Sequence, residues 1–79
     1  MSTSDTVRAM LALAGKQQIG LAEHFGMSKQ VMNNKLSRDS WSAKDLAKAC
    51  EFCGAKLQIV MEDGQTLIVS PDAKKDLNA

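Results

Sequence analysis

The chain has 79 residues, 44% of them apolar, with a net charge of +1 and three aromatic residues, Phe25, Trp41 and Phe52. That length holds one small domain with no room for a separate ligand-binding domain, and the apolar content suits a folded chain rather than a polar tail. No apolar run reaches the ~18 residues of a membrane span, and Met1-Ser2-Thr3-Ser4-Asp5 has neither the basic lead nor the apolar stretch of a signal peptide, so a cytoplasmic location away from membranes is expected.

In chain order, residues 1–4 form a polar lead-in in which Ser4 or Thr3 can cap the first helix. Asp5 to Ala14 has Val7, Met10, Leu11 and Ala14 at i, i+3, i+4 and i+7, which predicts a helix with one apolar stripe, and Asp5 suits the positive end of its dipole. Gly15-Lys16 ends it. Leu21, Ala22 and Phe25 give the next helix an apolar face, although Gly20 inside it costs about 1 kcal/mol relative to Ala. Gln17 stands at its start, where a Ser or Thr would cap better. Gly26 breaks the periodicity with the residue best suited to a left-handed helix end. Ser28 then restarts the chain as a cap, and Met27 can close on Met32 as a hydrophobic staple. Val31, Met32 and Leu36 are the expected inward residues of this third helix, 28–36.

After a polar loop at Ser37-Arg38-Asp39-Ser40, Ser42 caps a further helix with Asp45 as the reciprocal acid and Trp41 against Leu46 as a staple. Packing over that helix start is a better account of Trp41 than a stacking platform for a base. Leu46, Ala49, Cys50 and Cys53 point inward, and Gly54 stops the helix. Cys50 and Cys53 fall on one face. With His24 as the only other soft or imidazole ligand, a four-ligand zinc site cannot be completed in one chain, so the cysteines are read as buried and reduced. No metal and no cofactor is expected.

From Lys56 the period changes from 3.6 to 2. A three-residue loop at Glu62-Asp63-Gly64, with Gly64 left-handed, sets Met61 opposite Gln65, Ile59 opposite Leu67 and Leu57 opposite Val69, one consistent apolar face. That face can rest on the helices, which leaves Val60, Thr66 and Ile68 on a second face. A two-stranded hairpin with apolar residues on both sides is marginal alone, so this second face is expected to carry a homodimer contact. The expected organisation is therefore a helical domain over 1–54, a hairpin over 55–71 and a loose polar tail over 72–79.

The chemistry lies on the outer face of the third helix. Lys29, Gln30, Asn33 and Asn34 are expected to lie away from Val31, Met32 and Leu36, and no carboxylate is among them. Gln and Asn donate and accept together, matching the N6/N7 edge of adenine, while Lys reaches guanine O6/N7. Charge follows the same division. Residues 1–38 carry Arg8, Lys16, Lys29, Lys35 and Arg38 against Asp5 and Glu23, a net +3, whereas residues 39–79 carry five lysines against seven acids, a net −2.

Gln18, Leu21-Ala22, Phe25-Gly26, Ser28, Met32 and Leu36 together resemble the pattern of the Cro and lambda-type repressor (XRE-like) helix-turn-helix family, over roughly residues 5 to 54. The resemblance implies a mostly α fold, a four- to five-helix lambda-repressor-like domain followed here by the hairpin. It also implies a homodimeric bacterial or phage repressor that binds double-stranded DNA, with the third helix in the major groove and Lys29, Gln30, Asn33 and Asn34 as base readers. Gln18 is implied to bind phosphate beside Gln17, with Lys16, Ser28, Lys35, Ser37 and Arg38 adding backbone contacts. A protein-interaction module, such as an antitoxin-like protein whose hairpin binds a partner, is the alternative. An enzyme is disfavoured: there is no Tyr, no phosphate-cradling glycine loop, and no nucleophile paired in sequence with His24.

Overall fold

The computed structural model describes residues 1–71, and the expected tail at 72–79 lies outside them. Four helices are followed by a two-stranded antiparallel hairpin: α1 (Thr3–Ala14), α2 (Gln18–His24), α3 (Lys29–Arg38), α4 (Ala43–Cys53), β1 (Leu57–Val60) and β2 (Thr66–Val69). Val7 and Leu11 of α1, Leu21 and Ala22 of α2, Met32 and Leu36 of α3 and Ala49 of α4 form one buried cluster, flanked by Met27, Phe25, Trp41, Leu46 and Phe52. Each helix therefore buries the stripe its periodicity announces, with one exception on α3: Val31 is 49% exposed. Ala47, not among the expected inward residues, is buried on the side of α4 that meets the hairpin.

The helix ends are closed locally. Ser2, rather than Thr3 or Ser4, caps α1, accepting from the Asp5 N–H at 3.1 Å while its own N–H donates to Asp5 Oδ2 at 3.2 Å. Ser28 and Ser42 cap α3 and α4 through their hydroxyls, which accept from the Val31 and Asp45 N–H groups, whereas Gln17 gives α2 no side-chain cap. At the end of α2, Gly26 takes φ 68°, and the N–H groups of Gly26 and Met27 return to the carbonyls of Glu23 and Ala22. This paired closure makes the sharp turn into α3. Gly20 is accounted for by packing, since a Cβ there would come within 3.0 Å of the Phe52 ring.

The third helix runs one half-turn beyond the expected Leu36, to Arg38, and ends on Asp39 in the left-handed region at φ 56°. A non-glycine residue held there costs energy, and the side chain explains why it is kept. Asp39 Oδ1 accepts from the Ser4 N–H at 2.7 Å, satisfying a free donor in the first turn of α1. Ser4 is itself buried: its hydroxyl donates to the Leu36 carbonyl at 2.7 Å and accepts from Trp41 Nε1 at 2.9 Å. This node joins the start of α1, the end of α3 and the entry to α4.

A second link joins α3 to α4. Lys35 Nζ lies 2.7 Å from Asp45 Oδ2, also donates to the Ser40 carbonyl at 2.7 Å, and stands 4.9 Å from the centre of the Trp41 ring. The Asp45 carboxylate is thus turned to Lys35 and not only to the cap of its own helix. Burial raises its pKa, but the bonds and charge of Lys35 and the Ser42 groups outweigh that, and the net result lies below the ordinary carboxylate value.

The hairpin pairs Leu57 with Val69, Gln58 with Ile68, Ile59 with Leu67 and Val60 with Thr66 across the three-residue turn, with Gly64 at φ 94°. This is the register expected from alternation. Its support differs from the expectation: only the base, Leu57 and Val69, is half-buried, near Ala47 of α4. Ile59 and Leu67, expected on the helix-facing side, are about half exposed at 52% and 56%. The strands are long enough to leave α4 behind, so the distal half stands free on both faces.

Two consequences can be measured. Ser4→Ala strands the Trp41 N–H and leaves the Leu36 carbonyl only the Asp39 N–H, at 3.2 Å, and is expected to cost about 1–3 kcal/mol, seen as a fall in Tm of about 4–8 °C per kcal/mol. An Asp whose folded pKa lies below its unfolded value contributes stability that is present above about pH 4 and lost as pH falls through the folded value. Asp45→Asn should therefore lower stability at neutral pH by about 1–2 kcal/mol and shrink the loss below about pH 4, leaving the share that belongs to Asp5, whose carboxyl is lowered by its bonds to Ser2. An Asn variant with an undiminished acid loss would assign that loss to other groups.

Candidate nucleic-acid interface

The outward side of α3 is organised by its helical period. With Met32 and Leu36 inward, Gln30, Asn34 and Ser37 recur at i, i+4 and i+7 on the opposite side, and extension of the helix to Arg38 adds Ser37 and Arg38 to that face instead of leaving them in a loop. Gln30 Nε2 donates to Asn34 Oδ1 at 3.4 Å. The bond leaves Gln30 Oε1 to accept and Asn34 Nδ2 to donate, so the two amides are held side by side with a defined polarity. Both residues are exposed, as are Lys29 and Asn33.

The turn at Gly26 brings the start of α2 alongside this face. Gln18 lines one shallow cleft with Lys29, Gln30 and Asn33. Residues eleven or more apart in sequence thus meet at the place where the two helices converge, and none of the four is acidic. Among the described residues Lys29 and Arg38 make no salt bridge, so their charge is open to a partner. Ser28 has its hydroxyl oxygen committed to the Val31 N–H at 3.1 Å, and Gln17, the uncapped entry to α2, is exposed beside Gln18.

Two of the expected phosphate contacts stand differently. Lys35 is only 15% exposed and its ammonium is shared between Asp45 and Ser40, so it serves the joint between α3 and α4. Lys16 is exposed, with Nζ 4.8 Å from the centre of the Phe52 ring. Sequence periodicity could not separate Lys35 from Lys29, because the ion pair joins residues ten apart on different helices. The exposure of Val31 was also missed in the sequence, where it looks like its neighbour Met32.

The remaining chemistry-bearing residues are accounted for by packing. His24 Nε2 lies 3.4 Å from Glu51 Oε1, and its ring is 5.2 Å from that of Phe52. Burial pushes both thiols up, that of Cys50 further by the neighbouring Cys53, and Cys50 Sγ lies 3.7 Å from Met10 Sδ. Thiols held up in this way are poor nucleophiles. Among the described residues no three or more His, Cys, Asp or Glu side chains are grouped to hold a metal ion, and no helix is long and apolar enough to cross a membrane.

Comparison with curated proteins and with solved structures returns no match. A protein-family model, that of the bacteriophage CI repressor helix-turn-helix domain, matches residues 6–65. The match begins in α1, includes the whole α2–turn–α3 unit, and continues through β1 and the hairpin turn, beyond the helical part that the sequence pattern covers. It spans well over half of the chain, which therefore belongs to the bacteriophage CI repressor helix-turn-helix domain family and is a DNA-binding transcription regulator.

Proposed function

We propose that the protein reads a specific sequence in double-stranded DNA as a homodimer, with α3 entering the major groove N-terminus first. The observation that carries this is the acid-free surface on which Gln18 of α2 meets Lys29, Gln30 and Asn33 of α3. On this reading Lys29, Gln30, Asn33 and Asn34 face base edges, where paired amides match adenine and Lys matches guanine. Gln17, Gln18, Ser28, Ser37 and Arg38 meet phosphates on either side, with Lys16 adding positive charge from the α1–α2 turn. Lys35 contributes by holding α3 at a fixed angle to α4.

The homodimer is supported by the hairpin. Val60 is 66% and Ile68 62% exposed, on the face that also carries Thr66, and Met61 nearby is 49% exposed. A cluster of apolar residues on a two-edged hairpin is the kind of surface that a copy of itself can bury by a two-fold operation. Two copies of α3 would then meet half-sites about one helical turn of DNA apart. The same exposed hairpin supports a second reading, a heteromeric partner contact of the antitoxin-like kind, which isolation of a stoichiometric complex with another protein would favour.

Selection from a pool of random duplexes at two salt concentrations is expected to yield a two-fold-symmetric site whose affinity falls steeply with salt. On that site Gln30→Ala or Asn34→Ala should cost about 1–3 kcal/mol and change binding to random DNA little, while Arg38→Ala weakens both alike and lowers the salt slope by about one. Equal losses on both duplexes for all three variants would remove the division between readers and phosphate contacts. For the dimer, Ile68→Lys or Val60→Lys should give monomers by analytical ultracentrifugation with α-helical content intact. A dimer that persists places the interface elsewhere.

A further inference from the structure

Three of the four helices begin on a serine whose hydroxyl accepts from the N–H three residues on, at 3.1 Å in α1, 3.1 Å in α3 and 3.0 Å in α4. In α1 and α4 the residue at that third position is an acid, Asp5 or Asp45, favoured there by the capping box and by the helix dipole. In α3 it is Val31. Avoiding an acid near DNA explains the missing carboxylate but not the valine, since Gln, Ser or Ala would avoid it equally well. Valine is β-branched and a poorer helix former than Ala or Gln. It is not used as core either, being 49% exposed while Met32 beside it is 1% exposed. Local stability, helix propensity and burial all argue for another residue at this place.

The partner that the position faces accounts for it. Val31 lies one turn before Asn34 on the outer flank of α3, and side chains three apart on a helix are about 5–6 Å apart at Cβ. Stacked bases are about 3.4 Å apart along a strand, so two such side chains fall on the same or neighbouring base pairs. On the major-groove edges of the four base pairs the C5 methyl of thymine is the apolar group, and only an apolar side chain gains by covering it. We propose that Val31 is a specificity-determining residue that packs on the C5 methyl of a thymine beside the base pair met by Asn34. The assignment rests on α3 reading DNA, and it adds an apolar contact to a face otherwise made of amides and cations.

The test removes one methyl group at a time. In the duplex selected by the wild-type protein, each thymine is replaced singly by deoxyuridine, which lacks only the C5 methyl. One thymine per half-site, next to the base pair at which Asn34→Ala relaxes preference, is expected to show about fourfold weaker binding on replacement. Val31→Ala, which removes half-exposed atoms and favours the helix, should bind the thymine and deoxyuridine duplexes alike. Val31→Glu completes the capping box with Ser28, so it should melt no lower than wild type yet bind the site about tenfold or more weakly, since a carboxylate then faces the groove. A Val31→Ala protein that keeps the wild-type deoxyuridine penalty overturns the assignment, as does a site with no thymine sensitive to methyl loss or a Val31→Glu protein that binds normally. If the wild-type protein selects no duplex at all, the DNA reading falls with it. That result is seen before any deoxyuridine duplex is made, so the two failures are distinct.

Discussion

The placement of α3 depends on a buried hydroxyl. Ser4 fills the space between the first turn of α1 and the last turn of α3, and among the described residues it is the one polar residue that is fully buried. Its oxygen gives a proton to the Leu36 carbonyl and takes one from Trp41, while its backbone N–H is held by Asp39. The start of α1 and the α3–α4 junction, far apart in sequence, are fixed by one small residue, because a helix end carries groups that must find partners once water is excluded. The left-handed backbone at Asp39 is the cost of this arrangement. A glycine there would relax the backbone and lose the carboxylate that completes the first turn of α1. The outer face of α3 is therefore aimed by bonds made at its C-terminal end, away from Lys29, Gln30 and Asn33.

The same economy divides the basic residues. Lys35 stands between Asp45, Ser40 and Trp41, where neutralisation and packing hold it. Lys29 and Arg38, on the same helix, are bound by no described acid. Positive charge in this half of the chain thus has two uses. One lysine joins α3 to α4, where loss of either partner leaves a partly desolvated charge. Lys29 and Arg38 carry no described ion pair and, on the proposed reading, would exchange counterions for phosphates. Composition and net charge give no way to separate the two, since each appears as +1.

Much of this was legible in the sequence because it follows from local rules. Caps at Ser28 and Ser42, stops at Gly15, Gly26 and Gly54, and the register of the hairpin are set by neighbours within a few residues, and period 2 with Gly64 leaves one register that keeps an apolar face together. What was not legible depends on the direction from which other elements approach. Val31 and Met32 differ by about 100° around α3, and only the positions of α1 and α2 decide which is buried. Ser2, Thr3 and Ser4 are chemically equivalent caps until Asp39 and Trp41 arrive from the other side to claim Ser4. Lys35 could not be separated from the solvent-facing lysines until α4 brought Asp45 to it. The candidate site was legible as a face and a set of residue types. Which of those residues are free was a property of the packing.

The hairpin obeys a different balance. Its two strands make one ladder, and only Leu57 and Val69 at the base share apolar surface with α4, so little of the entropy lost in ordering its distal half is returned within one chain. The residues left exposed there, Ile59, Val60, Met61, Leu67 and Ile68, alternate between the two faces, so no single rotation of the hairpin onto α4 could cover them all. Covering one face against the helices would leave the other in water. A partner that supplies a second surface resolves this conflict, and it does so on an element that shares no residue with the outer face of α3. On the proposed reading, assembly through the hairpin and DNA recognition through α3 would therefore be altered separately, by substitutions on the one or the other.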